Sequence, residues 1–315
     1  MIDLSGRLVS GDTLYGPFLG LGSALAAEAC ALAGFDWLLV DLEHGGGDES
    51  ELLHQQLAAD AHGVPMLVRV ESTHRIRAGH ALDLGAAGIM FPGIESAEQA
   101  TQAIRHLRYP PDGDRGVATY NRAYGFGLHP ERLATANERV LGIVQIESKQ
   151  AVERVEEITK VPGIHVLFIG PRDLSHDLDV PGNTSAPAFQ DALQRVLTAA
   201  EAAGLAAGIL APDAETARRY ADQGLRSSAS APTPPCSPWL ENTRSTASAA
   251  PEHPAEKDQD REGDAGGNGA VATLHPRARR GTGVQVDTSR SAVGVQASRQ
   301  IMRSPGGGEV AGQRQ

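Results

Sequence analysis

The sequence predicts an α/β fold, a (β/α)8 barrel, and three observations favour it. Short apolar runs alternate with longer amphipathic stretches over the first 226 residues, the pattern of β/α units around a parallel sheet. The runs are nearly continuous in apolar residues, as expected for strands that are covered on both faces. Polar residues follow the runs at their carboxyl ends, which a barrel gathers on one face. An open doubly wound sheet shares the periodicity but would spread these residues along a line.

Seven β/α units are visible in order. The predicted strands are Gly16–Gly20, Trp37–Asp41, Met66–Val70, Gly88–Phe91, Leu141–Ile146, Ile164–Ile169 and Ala206–Leu210. The predicted helices are Ser23–Ala33, Glu49–His62, Thr73–Leu84, Ser96–His106, Ser148–Ile158, Pro187–Ala203 and Asp213–Gln223. Glycines follow several of these helices, where a left-handed residue is favoured. The insertion Tyr109–Pro130 is long enough for us to expect a functional loop.

Composition excludes several classes of protein. The 315 residues carry a net charge of −11, so the chain lacks the basic excess that nucleic-acid binding requires. No apolar run approaches the ~20 residues that span a bilayer, and the amino terminus does not resemble a secretion signal. Two cysteines cannot build a disulfide framework. We therefore expect a cytoplasmic protein that binds small molecules and neither nucleic acid nor membrane.

Six polar residues lie where apolar strands give way to loops, always at the carboxyl end. They come from four strands and are Asp41 and His44 in VDLEHG, Arg69 in MLVRVES, Gln145 and Glu147 in IVQIES, and Asp173 in FIGPRDLS. A chance placement is plausible for any single residue. For six residues it is not, because a parallel barrel places its active site at this face.

The residue types indicate a metal site. Glu147 and Asp173 are hard oxygen ligands, and with waters and a chelating substrate they suit Mg²⁺ or Mn²⁺ better than a closed zinc site. The alternatives are an ion pair or, for Asp173, a cap on a short helix at Leu174. A Schiff-base mechanism is disfavoured, because Lys149 is the only lysine near the predicted site.

The remaining polar residues suggest acid–base chemistry and anion binding. Asp41 lies three residues before His44, which resembles a carboxylate that orients a catalytic imidazole. The alternative for His44 is a solvated loop residue. Arg69 in an apolar context needs an anionic partner, either a substrate carboxylate or enolate, or else Glu71 or Glu43.

Five segments carry a family resemblance and occur in order between about Asp3 and Arg226. They read GFDWLLVDLEHG, LDLGAAGIMFPGIESAEQA, RYPPDGDRGVA, QIESKQAVERVEEI and VPGIHVLFIGPRDLSHDLDVPG. Together they resemble the HpcH/HpaI aldolases, class II pyruvate aldolases of the HpcH/HpaI aldolase/citrate lyase family. The resemblance implies a TIM barrel that cleaves 4-hydroxy-2-oxo acids to pyruvate and an aldehyde. It also implies a homo-oligomer, commonly a hexamer, with sites near subunit boundaries.

By motif position, the resemblance implies a role for each site residue. Glu147 and Asp173 would hold the divalent metal, which would be Mg²⁺ or Mn²⁺, with Co²⁺ as a further candidate. Arg69 would bind the oxygens of the keto acid. Gln145, Pro171 and Arg172 would bind the substrate. His44, oriented by Asp41, would act as acid and base. Asp83 would assist at the mouth of the site. Arg172 stands where many members of the family carry a small residue, so its presence bears on substrate choice.

The carboxyl-terminal part departs from the family pattern. An eighth β/α unit is expected after Arg226, but residues 227–315 are poor in apolar side chains and are predicted to be disordered. One set of codons for residues 227–239, read after restoring a single lost base in the Arg226 codon, encodes Phe-Val-Gly-Val-Gly-Ser-Asp-Thr-Ala-Leu-Leu-Ala-Val. We therefore hypothesise a frameshift. The sequence then predicts a barrel of residues 1–226 that lacks its eighth unit, with exposed edges on the first and seventh strands and poor solubility or activity.

Two other functions stay open at this point. One is a CoA-thioester lyase like citrate lyase β or malyl-CoA lyase, which the Glu-His pair of VDLEHG and the Arg-rich insertion disfavour. The other is a non-catalytic remnant whose tail binds partners. The aldehyde product cannot be chosen, and heptanedioate, deoxyglucarate and deoxyrhamnonate derivatives all remain plausible.

Overall fold

The computed structural model describes residues 4–230, and for residues 227–230 it describes the backbone alone. Eight strands follow in order: β1 (Leu14–Leu19), β2 (Leu38–Asp41), β3 (Met66–Arg69), β4 (Gly88–Phe91), β5 (Leu141–Ile146), β6 (Ile164–Ile169), β7 (Ala206–Ala211) and β8 (Ser227–Ser230). Each strand pairs in parallel with the next, and β8 also pairs with β1. The sheet is therefore a closed barrel, which confirms the predicted α/β architecture.

Helices surround this barrel. They are α1 (Leu4–Val9), α2 (Ala24–Ala33), α3 (Glu49–Ala61), α4 (Arg75–Leu84), α5 (Ala97–Arg105), α6 (Ala136–Arg139), α7 (Lys149–Glu153), α8 (Val155–Ile158), α9 (Pro171–Asp177), α10 (Pro187–Ala202) and α11 (Ala214–Asp222). The predicted helix Ser148–Ile158 is interrupted at Arg154. Of the helices in the described range, none is both long enough and apolar enough to cross a membrane.

Local sequence explains where the surrounding helices begin and end. Side chains of Ser23, Ser96 and Asp213 each accept a hydrogen bond from the backbone N–H three residues later, which satisfies an otherwise unpaired donor. Asp48 and Glu51 form a reciprocal capping box at the start of α3. The short helices α1, α6 and α9 were not predicted, because fewer than eight residues show no clear helical period.

The eighth strand corrects one prediction. The sequence was expected to leave out the eighth unit from Ser227 onward, but the backbone of β8 aligns Ser227 with Leu14 of β1 and with Gly208 of β7. Parallel pairing uses main-chain donors and acceptors, which serine and alanine supply as well as apolar residues do. The predicted exposed edges of β1 and β7 are therefore paired over these four residues. The rest of the predicted tail, residues 231–315, lies outside the described residues.

The barrel interior is filled by side chains from alternate strand positions. A buried cluster contains Leu4, Leu14, Phe18, Trp37, Leu39, Leu67, Met90, Leu141, Ile143, Val166, Phe168 and Ala206. Leu4 belongs to α1, which lies at the amino-terminal end of the barrel and is held there by the ion pair between Arg7 and Asp36. The interior is thus a packed core whose amino-terminal end is closed, so the open end is the one that carries the polar residues.

The long insertion that was predicted to be functional packs along α4. Arg75 donates to the carbonyl oxygen of Asp114 at 3.1 Å, and Arg122 donates to the carbonyl oxygen of Leu84 at 2.8 Å. These contacts reach both ends of α4, and Arg115 adds an ion pair to it. The insertion therefore forms an outer layer of the barrel, and several of its apolar side chains are exposed, namely Val117, Tyr120, Phe126 and Leu128.

We predict that Gly16→Ala destabilises the barrel. A Cβ at Gly16 would lie 2.2 Å from Cδ2 of Trp37 and 2.3 Å from its carbonyl oxygen, so a buried indole and the backbone would both have to move. We expect a loss of about 2 kcal/mol or more in the free energy of unfolding, measured with denaturant. Gly79→Ala is the matched control, because a Cβ there meets open space inside α4 and should stabilise the helix by up to about 1 kcal/mol. Equal effects of the two substitutions would contradict the prediction.

Candidate active site

Polar residues meet at the carboxyl-terminal end of the barrel, as the sequence predicted. Asp41 and Arg69 end neighbouring strands and are directly opposite each other in the register of β2 and β3. Gln145 lies near the end of β5, and Glu147 follows that strand. Asp173 lies in the first turn of α9, directly after β6. The closed barrel therefore brings these groups to one face.

Arg69 is held by two carboxylates. Its Nε and Nη2 donate to the two oxygens of Asp41 at 2.9 and 2.6 Å, and its Nη1 lies 3.2 Å from Oε2 of Glu43. The guanidinium carbon also lies 5.0 Å from the ring centre of Phe18, a stacking arrangement that supports the charge. Glu71, an alternative partner in the sequence analysis, pairs with Arg77 instead. Among the described residues, the anionic partners of Arg69 are thus Asp41 and Glu43.

Asp41 positions Arg69 through both of its carboxylate oxygens. One carboxylate oxygen of Asp41 accepts hydrogen bonds from the backbone N–H groups of Glu43 and His44, and both oxygens accept from Arg69. Burial raises the pKa of Asp41, but hydrogen bonds and the charge of Arg69 outweigh burial and bring this pKa below its usual value. Among the described residues no hydrogen bond joins Asp41 to the His44 ring, so the orientation of the imidazole by Asp41 stays a prediction. The His44 side chain is 68% exposed, and its Nε2 lies 4.0 Å from Oε1 of Glu43.

Glu147 is fixed by uncharged donors. The backbone N–H of Gly93 donates to Oε1 at 2.7 Å, and the side-chain amide of Gln145 donates to Oε2 at 3.0 Å. A Cβ at Gly170 would lie 2.9 Å from Oε2, so glycine permits this close approach of chain and carboxylate. Burial raises the pKa of Glu147, and the negative charges of Asp173 and Glu43 raise it further.

The pair of Glu147 and Asp173 fits a hard divalent cation. Their charges interact, yet across residues 4–226 no lysine, arginine or histidine forms an ion pair with either carboxylate. The same residues contain no group of three or more histidine, cysteine, aspartate and glutamate side chains arranged to hold a metal. Two protein ligands would leave most of an octahedral shell to waters and substrate, which suits Mg²⁺ or Mn²⁺.

Gln145 lies at the base of the same pocket. Its side chain is 2% exposed, and while its amide nitrogen donates to Glu147, its Oε1 has no hydrogen-bond partner in the described part of the chain. Buried polar atoms are nearly always satisfied in folded proteins. This acceptor therefore supports the prediction that Gln145 faces a polar ligand.

Asp83 is not at the mouth of its own barrel. It lies in the last turn of α4, which leads to the amino-terminal end of β4, and its carboxylate accepts a 2.8 Å hydrogen bond from Arg115. The carboxyl ends of the strands, where Arg69 and Glu147 lie, are at the opposite end of the barrel. Within a single chain Asp83 therefore lies away from this face, and its role at the mouth stays a prediction. A role for this residue would require a second copy of the chain.

Pro171 and Arg172 begin α9 beside Asp173. Pro171 occupies the first helical position, where its missing N–H costs no hydrogen bond. The Arg172 side chain is exposed and, among the described residues, makes no ion pair. Lys149 is exposed at the start of α7, and its backbone N–H donates to Asp177, which leaves metal-assisted chemistry preferred over Schiff-base chemistry.

The sequence analysis did not assign three residues that contact the site residues: Glu43, Phe18 and Gly93. The sequence analysis named Glu43 as a possible partner of Arg69 but did not count it among the site residues. Its position between Asp41 and His44 could have indicated that it belongs there. Phe18 was counted only as part of a strand, although its alternation with Leu14 indicates an inward position. Gly93 acts through its backbone, and only the position of FPGIES after β4 could have indicated it.

Comparison with known proteins identifies the family of this chain. A model of the HpcH/HpaI aldolase/citrate lyase family matches residues 14–231. The chain belongs to this family. A hydroxypyruvate/pyruvate aldolase from Paraburkholderia phytofirmans is 43% identical over 229 residues, which cover 71% of this chain and 88% of that protein. A 5-keto-4-deoxy-D-glucarate aldolase from Klebsiella pneumoniae is 39% identical over 66% of this chain and 82% of that protein.

A solved structure from the same family has a similar fold. A HpcH/HpaI aldolase/citrate lyase family protein from Burkholderia cenocepacia is 41% identical and superimposes with a TM-score of 0.71. The match covers 78% of this chain and 97% of that protein. The match therefore spans nearly the whole length of a related structure.

We predict that Arg69→Met destabilises the fold in a pH-dependent way. The substitution removes the partner of a buried carboxylate, which costs about 3 kcal/mol in the free energy of unfolding near pH 7. Because the folded-state pKa of Asp41 is lowered, its contribution is present above pH ~4 and is lost as pH falls through the folded value. The difference between variant and wild type should therefore shrink as pH falls below ~4. Arg77→Met is the control, since its more exposed ion pairs should contribute at most about 1 kcal/mol.

Proposed function

We propose that the protein is a metal-dependent aldolase that cleaves a 4-hydroxy-2-oxo acid to pyruvate and an aldehyde. The observation that carries the proposal is the pair of Glu147, directly after β5, and Asp173, at the start of α9 after β6; neither forms an ion pair with a basic side chain among the described residues. A 2-oxo acid offers the complementary ligand, because its carboxylate and ketone oxygens can chelate a cation while the carboxylate meets the guanidinium. The family membership and the names of the relatives support an aldolase.

The side chains of the chain divide the work of this reaction. Glu147 and Asp173 would hold the cation, which when bound draws electron density from the 2-oxo group and stabilises the enolate of pyruvate. Arg69, fixed by Asp41, binds oxygens of the keto acid, and Gln145 lines the pocket below. His44 at the mouth accepts the proton of the C4 hydroxyl as the bond between C3 and C4 breaks. The electrons of that bond pass to the pyruvate fragment as its enolate, while C4 becomes the carbonyl carbon of the aldehyde. After the aldehyde leaves, the protonated His44 would return the proton to C3, which gives pyruvate.

A CoA-thioester lyase is the second candidate, and the position of the insertion argues against it. Arg115 and Arg122, which could otherwise contact the phosphates of CoA, form ion pairs with Asp83 and Asp60. Preference for a thioester over free keto acids in the same assay would reverse this choice. A non-catalytic remnant is the third candidate. Complete inactivity of both the chain as written and its frame-repaired form would favour it.

We also propose a homo-oligomer, a hexamer by family resemblance. The exposed apolar side chains Val117, Tyr120, Phe126 and Leu128 on the insertion support the burial of this surface by another copy. Such an assembly is also the arrangement that would let Asp83 approach a site, since it lies far from the site of its own chain.

A pyruvate-release assay tests the proposed activity. We expect release from at least one member of a panel of 4-hydroxy-2-oxo acids, loss of release in EDTA, and recovery with Mn²⁺ or Mg²⁺. Glu147→Ala and Asp173→Ala should each lower kcat/KM by a factor of about 10³ or more, because each removes a ligand of the cation. Glu156→Ala, which removes a surface ion pair with Arg195, should leave the rate unchanged. Turnover that survives either site substitution would exclude the metal mechanism.

The frameshift hypothesis is tested by restoring the reading frame. The restored residues Phe-Val-Gly-Val would take the place of Ser227–Ser230 in β8, and burial of their apolar side chains would stabilise the barrel. We expect the repaired chain to melt at least several degrees higher than the chain as written, and to be more soluble and more active. Equal melting temperature and equal activity of the two forms would contradict the hypothesis. So would a gene whose codons across Arg226 and Ser227 do not restore this reading.

A further inference from the structure

Arg69 has one hydrogen-bonding edge left for a substrate, and Glu43 occupies part of it. Asp41 accepts from Nε and from one N–H of Nη2 in a bidentate arrangement, so a carboxylate that arrives from the mouth has the two N–H groups of Nη1 and the second N–H of Nη2 to bind. Oε2 of Glu43 lies 3.2 Å from this nitrogen. Glu43 therefore stands where the carboxylate of a 2-oxo acid would bind.

Glu43 also lies next to the proton-transfer residue. Its Oε1 is 4.0 Å from Nε2 of His44, while its other oxygen contacts Arg69. The side chain is 22% exposed, and Asp41 and Asp173 add negative charge around it. A glutamate that is repelled by its neighbours and held by one arginine nitrogen is easily displaced by a stronger anionic ligand of that nitrogen.

We propose that Glu43 is a positioning residue that holds Nη1 of Arg69 until the carboxylate of the 2-oxo acid displaces it, and that the displaced carboxylate then orients His44. This inference rests on the proposed function. It assigns to Glu43 the role of orienting the imidazole, which the hydrogen bonds of Asp41 leave unfilled. Binding of the substrate carboxylate to Arg69 would release the Glu43 carboxylate. The released carboxylate would then orient the imidazole of His44 for proton transfer.

Displacement gives a kinetic signature that a purely structural role does not. An internal anion that competes for Arg69 weakens substrate binding, so its removal should tighten binding. Loss of the carboxylate beside His44 should at the same time slow proton transfer. A residue that only supported the fold would, when replaced, weaken binding and slow turnover together.

Glu43→Gln in the full chain, or in its frame-repaired form, provides the test. With Mn²⁺ present, the Kd for pyruvate measured by calorimetry should fall about fivefold, the size of a partly exposed ion pair, while kcat falls about tenfold or more. Glu43→Asp keeps the charge but is too short to hold Nη1, so it should keep the tighter binding and recover much of kcat. Glu71→Gln is the control, because its partner is Arg77, and it should change neither constant.

The outcomes separate this inference from the proposed function. Pyruvate binding that is unchanged or weaker in Glu43→Gln, at an unchanged melting temperature, overturns the role of Glu43 even when the wild type is an active aldolase. Failure of Glu43→Asp to recover kcat overturns the orientation of His44. A wild type that binds pyruvate without cleaving any keto acid overturns the proposed function, while the affinity comparison still decides whether Glu43 competes for Arg69.

Discussion

The ion pair between Arg69 and Asp41 is the interaction on which the site depends. The two side chains end neighbouring strands in register, and both are largely removed from water, so their attraction is stronger than it would be at the surface. The guanidinium is further fixed by Phe18 on β1. Because Asp41 fills one edge of the guanidinium, the arginine presents its remaining donors in a single direction, toward the mouth of the barrel.

The charge of the pocket follows from this arrangement. Glu43 and Asp41 form the ion pairs of Arg69, while Glu147 and Asp173 form no ion pair among the described residues. Neutral donors from Gly93 and Gln145 fix Glu147 in place but do not cancel its charge. Such a site has its carboxylates fixed in place before a ligand binds, and their negative charge is not balanced by an ion pair. Fixed, unbalanced carboxylates favour the binding of a metal ion, which can stabilise negative charge during catalysis.

Sequence patterns predicted the strands and the strand-end residues because both follow from simple rules of parallel sheets. Strands β2 to β7 agree with the predicted runs to within a few residues, and Arg69, Gln145, Glu147 and Asp173 lie at the predicted face. Pairings between side chains were harder to predict. Asp41 was assigned to His44 because the two are close in sequence, whereas the register of two strands gives it to Arg69.

Two other positions could not be read from the sequence. The place of Asp83 depends on the direction of α4, and a motif match carries no information about which end of a helix faces the site of its own chain. Strand β8 was missed because serine and alanine give no hydrophobic signal, although the backbone can still pair. Registers, helix directions and main-chain pairing are properties of the folded chain, so a linear pattern does not reveal them.

The composition of β8 has a consequence for how such barrels tolerate change. The groups assigned to chemistry come from β2, β3, β5 and β6 and the segments that follow them, while β8 joins β7 to β1 through its main chain. Ring closure and reactivity are therefore encoded in separate parts of the polypeptide. Changes in the side chains of the last strand would therefore affect the stability of the ring first, because they leave the residues at the carboxyl ends of the other strands in place.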